Sequence, residues 1–238
     1  MPRLSGAFLL TDQQETISFA ESYKAKVAKE KYMMMRRMIR QVGLVAGLIA
    51  FGMGTPVFAA GGSAFGSGWT ANVIPQGQGQ LGGFIGLADF DAFGGSFTYG
   101  LSDWANGRVK LSFIDVGDLK LAFGADFQWQ FLSVEASKGS DPFDCAVGGL
   151  LEIFDANGAV TQFGGFVNGS YPFALKKGTI SPYARVDGRI VSFDGGSDLD
   201  FGFHAGAEWA LPKFGDFWVE FQLDGNDGIF LGVDFDVI

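Results

Sequence analysis

The chain of 238 residues has one cysteine and one histidine. Cys145 alone can form no internal disulfide, and it stands far from any export-signal cleavage point, which argues against a lipid-modified N-terminus. His204 has no nucleophile motif beside it. The acidic residue on its own face, Glu208, lies four residues on, about 13 Å away along an extended chain. Hydrolase chemistry needs a histidine close to a serine or carboxylate partner, so the chain reads as a non-enzyme, with no catalytic residue assigned. Basic residues are scarce after residue 59. Of the 17 Lys and Arg, eight fall in residues 1–59, which hold only four of the 26 Asp and Glu, so residues 60–238 carry nine basic against 22 acidic groups. Such a surface repels nucleic acid. No apolar run beyond Ala59 approaches the roughly 20 residues of a membrane-spanning helix.

Residues 33–59 carry an export signal in the expected order. Arg36, Arg37 and Arg40 precede the apolar run Val42 to Met53, and Val57 and Ala59 supply the small −3 and −1 residues for cleavage after Ala59. Residues 1–32 are an over-extended start, with Met33 to Met35 as the true one, or else a genuine leader. Neither version belongs to the mature fold. Residues 60–78, rich in Gly, Ser and Gln, read as a flexible lead-in with a short strand near Trp69–Ile74, and residues 79–238 as the folded domain.

The folded part is a series of alternating segments. From Leu119, every second residue gives Leu119, Leu121, Phe123, Ala125, Phe127, Trp129 and Phe131, while the other set gives Lys120, Ala122, Gly124, Asp126, Gln128 and Gln130. A strand sends these two sets to opposite faces. Similar apolar rows recur, including Phe201, Phe203 and Trp209, then Phe217, Val219 and Phe221, and finally Leu231, Val233 and Phe235. Between them stand turn residues such as Asp155-Ala156-Asn157-Gly158 and Asp224-Gly225-Asn226-Asp227-Gly228, which tolerate positive φ. The spacing predicts an all-β, antiparallel up-and-down meander of about ten strands, with eight as the alternative count. The Glu135–Pro142 connection is long for the side on which the ten-strand parity places it.

Two segments carry a resemblance. Gly95-Ser96-Phe97-Thr98-Tyr99-Gly100-Leu101-Ser102-Asp103 resembles the Tyr-Gly-Leu-Ser/Thr-Asp strand end of porin-like barrel domains, and the alternating C-terminus is similar to the signal read by the barrel-assembly machinery. The family is that of small Gram-negative outer-membrane β-barrel proteins. The chain departs from it in ending its apolar row at Val237 rather than on an aromatic residue. The resemblance implies a transmembrane barrel in the outer membrane after export, met by the barrel-assembly machinery during biogenesis. A monomer in contact with lipid and lipopolysaccharide is expected, the latter bridged by divalent cations to short Asp-rich loops.

In such a barrel, Leu121, Phe123, Phe127, Trp129, Phe201, Phe203, Trp209, Phe221 and Phe235 face lipid. Asp126, Gln128, Gln130, Glu152, Arg185, Asp187, Arg189, His204, Glu208, Glu220 and Gln222 form a polar network in the lumen, which must pair internally because isolated charges are costly there. A lumen filled by side chains suits a structural or membrane-integrity role. A narrow porin-like channel for small solutes is one alternative, and a soluble periplasmic barrel or sandwich that binds a ligand is the other. Asp224–Gly228 lacks the downstream Glu of a calcium loop, and Gly82–Gly86 reads as strand glycine rather than a phosphate cradle, so neither metal nor cofactor is expected.

Overall fold

The computed structural model describes residues 62–237 apart from 157 and 213. The export signal, its cleavage point and residues 1–32 lie outside the described residues. The strands are β1 (Gly79–Ala88), β2 (Asp91–Ser102), β3 (Ala105–Asp115), β4 (Leu119–Leu132), β5 (Asp144–Asp155), β6 (Ala159–Ser170), β7 (Phe173–Leu175), β8 (Gly178–Phe193), β9 (Gly196–Leu211), β10 (Gly215–Leu223) and β11 (Gly228–Asp236). Each long strand pairs antiparallel with its neighbours in the chain, β6 pairs with β8, and β1 pairs with β11 from Gln80↔Asp236 to Ala88↔Gly228. The result is a closed ten-strand meander. The three-residue β7 is a side ribbon on β8 and no part of the ring.

Closure satisfies every edge, which is what lets a sheet sit in a medium that offers no hydrogen bonds. The joints do what their residues allow. Gly178 turns at φ +94°, and a Cβ there would lie 2.0 Å from the Ala210 carbonyl oxygen. Only glycine fits that corner. The connections 89–90, 116–118, 156–158, 194–195 and 224–227 form one end, the far rim. The connections 103–104, 133–143, 171–177 and 212–214 form the near rim, together with the start of β1 and the end of β11. The long 133–143 connection is thus on the side that the ten-strand parity requires. It folds on itself: the Ser133 amide donates to Asp141, the Val134 amide to Asp144, and the Gly139 amide to the Val134 carbonyl.

The outer surface is apolar on all ten strands of the ring. Leu87, Phe93, Val109, Phe123, Ile153, Phe163, Val186, Phe201, Phe221 and Leu231 stand exposed, one from each strand. Of the residues expected to face lipid, Leu121, Phe123, Phe127, Trp129, Phe201, Trp209, Phe221 and Phe235 are exposed, and Phe203 is half-buried in the same outward parity. Cys145, which shares the sequence parity of the exposed Ile153, is nonetheless buried. It sits where β4–β5 pairing slips from Gln130↔Ala146 to Leu132↔Cys145, and a bulge breaks strict alternation.

The larger departure concerns residues 62–78. No strand forms near Trp69–Ile74, and most of the stretch read as a lead-in is packed inside the barrel. Residues 62–74 are irregular and run along the lumen, with Ala64, Phe65, Ser67, Trp69, Thr70 and Ala71 all buried. The exposed stretch Pro75–Gln78 then turns at the near rim into β1. Small residues without periodicity read as flexible, yet small residues are also what a narrow lumen admits. Gly68, at φ +46°, lies so close to the Trp218 ring that a Cβ would come within 2.4 Å of it.

Candidate functional site

The candidate site is the filled lumen. It is built in layers from the inward parity of the strands. Below the far rim an apolar layer gathers Ala92, Ile114, Ala122, Phe154, Val160, Val191 and Phe230 around Ala64 and Phe65. The sequence reading missed it because these positions are apolar where the lumen was expected to be polar. Their inward parity was the available signal.

The charged layer lies deeper, in two groups. In the first, Arg108 pairs with Asp126, and the Lys110 ammonium stands 3.1 Å from both Asp126 and Glu152. Arg108 was absent from the expected network although it shares Lys110's parity. In the second, Arg189 lies 3.0 Å from Asp187 and 3.2 Å from Asp224, and Arg185 lies 3.6 Å from Asp187. His204 sits between carboxylates, its Nε2 2.8 Å from Asp187 and its Nδ1 3.3 Å from Glu220. Taking such charges out of water is costly, and mutual pairing is what makes it tolerable. The expected residues Asp126, Glu152, Arg185, Asp187, Arg189, His204 and Glu220 are brought together. Gln128, Gln130 and Gln222 are buried alongside. Glu208 is not part of this network: it is half-buried further toward the near rim. Asp224, at the far-rim turn beyond β10, has its carboxyl pushed above the usual range by burial, which Arg189 and His204 oppose.

What the wall holds is the 62–74 segment. Its carbonyls accept from wall side chains in order along the lumen: Gly62 from Gln162 (3.0 Å), Ser63 from Asn226 (3.0 Å), Ala64 from Ser112 (3.1 Å) and Phe65 from Gln222 (2.9 Å). The series continues with Ser67 from Arg108, Trp69 from Asn168, and Thr70 and Asn72 both from the Gln128 amide (3.0 and 3.1 Å). Its amides are met by acceptors. Ser63 donates to Asp224 (3.1 Å), Ser67 and Gly68 donate to Glu220 (2.7 and 3.1 Å), and Ala71 donates to Ser170 (3.0 Å). The Ser67 hydroxyl and the Tyr183 hydroxyl also donate to Glu220. Two aromatic side chains wedge the segment: Phe65 under the Lys110 ammonium, 4.6 Å from the ring centre, and Trp69 under the Arg108 guanidinium at 4.2 Å. Cation–π contacts of this kind strengthen when water is excluded.

Asp224 and Asn226, read as part of a tight hairpin, also clamp the start of the segment. Ser63 and Ser67, read as linker, are lumen residues. Ser63, Phe65, Lys110, Glu152, Arg185 and His204 border the seam between segment and wall, which leaves no room for a water molecule.

No protein family profile matches the chain, and no curated protein matches it. Among solved structures the chain is similar to the KdgM porin, at 8% identity and a TM-score of 0.36 over 67% of this chain and 99% of that one. It is also similar to the N-terminal β-barrel domain of Pseudomonas aeruginosa OprF, at 13% identity and a TM-score of 0.28 over 68% and 100%. A third is an outer membrane channel from Pseudomonas putida F1, at 9% identity and a TM-score of 0.39 over 70% and 97%. These are likenesses of fold. What the outer surface of this barrel faces follows from its own side chains.

Proposed function

We propose that this chain is a Gram-negative outer-membrane β-barrel with a structural or membrane-integrity role, closed along its lumen and without catalytic activity. The observation that carries this reading is the inside-out distribution of polarity. Every strand of the ring exposes large apolar residues, while the buried rows hold paired charges and amides. A soluble monomer rarely exposes a contiguous apolar patch beyond a few hundred Å², and an all-round belt is what lipid requires. The soluble-binder alternative would need the opposite arrangement. The filled lumen favours the closed barrel over the porin-like alternative.

The partners follow from this reading: lipid around the belt, the barrel-assembly machinery during insertion, and no second copy needed. Asp89, Asp91, Asp115, Asp118, Asp155 and Asp194 stand exposed at the far rim, a surface suited to lipopolysaccharide through divalent cations. Cell fractionation with a heat-modifiability gel tests the assignment. The protein is expected in the outer membrane, with a compact band that shifts on boiling. A soluble periplasmic protein without the shift would overturn it. In planar bilayers the intact chain is expected to be silent.

A further inference from the structure

Among the described residues, none of Gly62 to Ile74 makes a backbone-to-backbone hydrogen bond. The segment is therefore inside the barrel without belonging to the sheet. Its anchors are wall side chains directed at main-chain carbonyls and amides, and main-chain groups are common to every peptide. Gln128 spans two carbonyls at once, and Glu220 takes two successive amides. Side-chain recognition comes from the Ser63 and Ser67 hydroxyls, which donate to Glu152 and Glu220, and from the two large side chains, Phe65 under Lys110 and Trp69 under Arg108. Backbone contacts for affinity with a few side-chain pockets for identity is the logic of extended-peptide recognition.

The sheet itself closes without the segment. β1 pairs with β11 and β6 with β8 along their lengths, so withdrawal of residues 62–74 breaks no strand ladder. It would leave a ten-strand lumen lined by Arg108, Lys110, Asp126, Glu152, Asp187 and Glu220. Charged rows of both signs hold water once their peptide partner is gone. At the near rim the segment is tied by an exposed turn, where the Gly77 amide donates to the Gly100 carbonyl and a Cβ on Gly77 would meet nothing within 4 Å.

We infer that the lumen is a binding site for an extended peptide of small residues with two spaced aromatics, occupied in cis by residues 62–74 as a removable plug, and that release of the plug opens the barrel to water and small ions. This rests on the membrane-barrel reading. The test uses the full chain with a protease recognition sequence inserted between Gln76 and Gly77, folded first and cut afterwards. The cut fragment is stripped with mild chaotrope, and the barrel is followed by its heat-modifiable band and by single-channel recording. The probe is a synthetic peptide of residues 62–75.

The uncut protein is expected to be silent and the stripped barrel to remain folded and conduct. The added peptide closes it again. Peptides with F65A or W69A should bind at least about tenfold more weakly, since truncating a buried aromatic removes most of its packing, and a scrambled peptide should not block. Three results would overturn the inference: a stripped barrel that unfolds, a stripped barrel that stays silent, or equal block by the scrambled peptide. A protein that lacks the heat-modifiable band before cutting, or conducts uncut, fails the membrane or closed-lumen reading instead.

Discussion

Along β4, Phe123, Phe127 and Trp129 stand about half exposed on the outside, while Asp126, Gln128 and Gln130 on the alternate positions are buried within. The two rows are built to different rules. The outer row needs only to be apolar, and no particular partner is required of any member. The polar members of the inner row have specific partners: Asp126 holds Arg108 and Lys110, and Gln128 holds the carbonyls of Thr70 and Asn72. A change of side chain should therefore be graded by polarity outside and by partnership inside.

The strongest break of that contrast is expected at Glu220. Its carboxylate serves the Ser67 and Gly68 amides, the Ser67 and Tyr183 hydroxyls, the Gln222 amide and His204. Glu220→Ala leaves these groups buried without an acceptor and His204 without one of its carboxylates. Breaking a buried charged pair from one side costs about 3–5 kcal/mol. Urea unfolding of the protein in lipid vesicles should show a loss of that order, with Glu220→Gln recovering part of it. A loss under about 1 kcal/mol would mean that the lumen is not organised around this carboxylate.

The outer row is probed by Phe123→Arg. Phe123 lies mid-strand, opposite Leu111 and Ile153 on the two neighbouring strands. A charge at the bilayer midplane costs about 2–4 kcal/mol on a barrel's lipid face, falling toward zero near the interfaces. Phe123→Leu should be nearly silent in the same vesicle assay. If arginine is tolerated as well as leucine, the belt faces water and the contrast between the rows collapses.

The same contrast explains what could be read from the chain. The outward rows and the turn positions are local signals, so ten strands and the outward-facing residues followed from alternation and from Asn, Asp and Gly at the joints. The plug did not. Its conformation is set by partners far away in sequence, such as Gln222, 157 residues from Phe65, and Glu220, 153 residues from Ser67. Gly and Ser carry no periodicity that would announce such contacts. The inner network was legible as a set of residues but not as pairs. Arg108 and Asp224 complete it, whereas Glu208, equally acidic and of the same parity as His204, stands apart near the other rim. The apolar layer below the far rim was hidden because Ile114, Phe154 and Phe230 are apolar on the polar-row parity.

Depth, not parity alone, separates a lumen residue from a rim residue, and Lys120 sharpens the comparison with the smallest effect. Alternation places Lys120 and Lys110 alike in the inner rows. Lys110 is buried between Asp126 and Glu152, but the Lys120 side chain is 32% exposed and lies 3.9 Å from Asp155, itself 54% exposed. Exposed pairs of this kind contribute about 0–1 kcal/mol, because water already solvates both charges and ordering two side chains costs entropy. Lys120→Ala should change vesicle stability by less than about 0.5 kcal/mol, and even that difference should vanish in 1 M salt, where the screening length is about 3 Å. Lys110→Ala in the same salt should remain strongly destabilising, since buried pairs are screened far less. A salt-resistant loss at Lys120 would mean that the far rim is as dry as the lumen and that the polar row has a single environment from end to end.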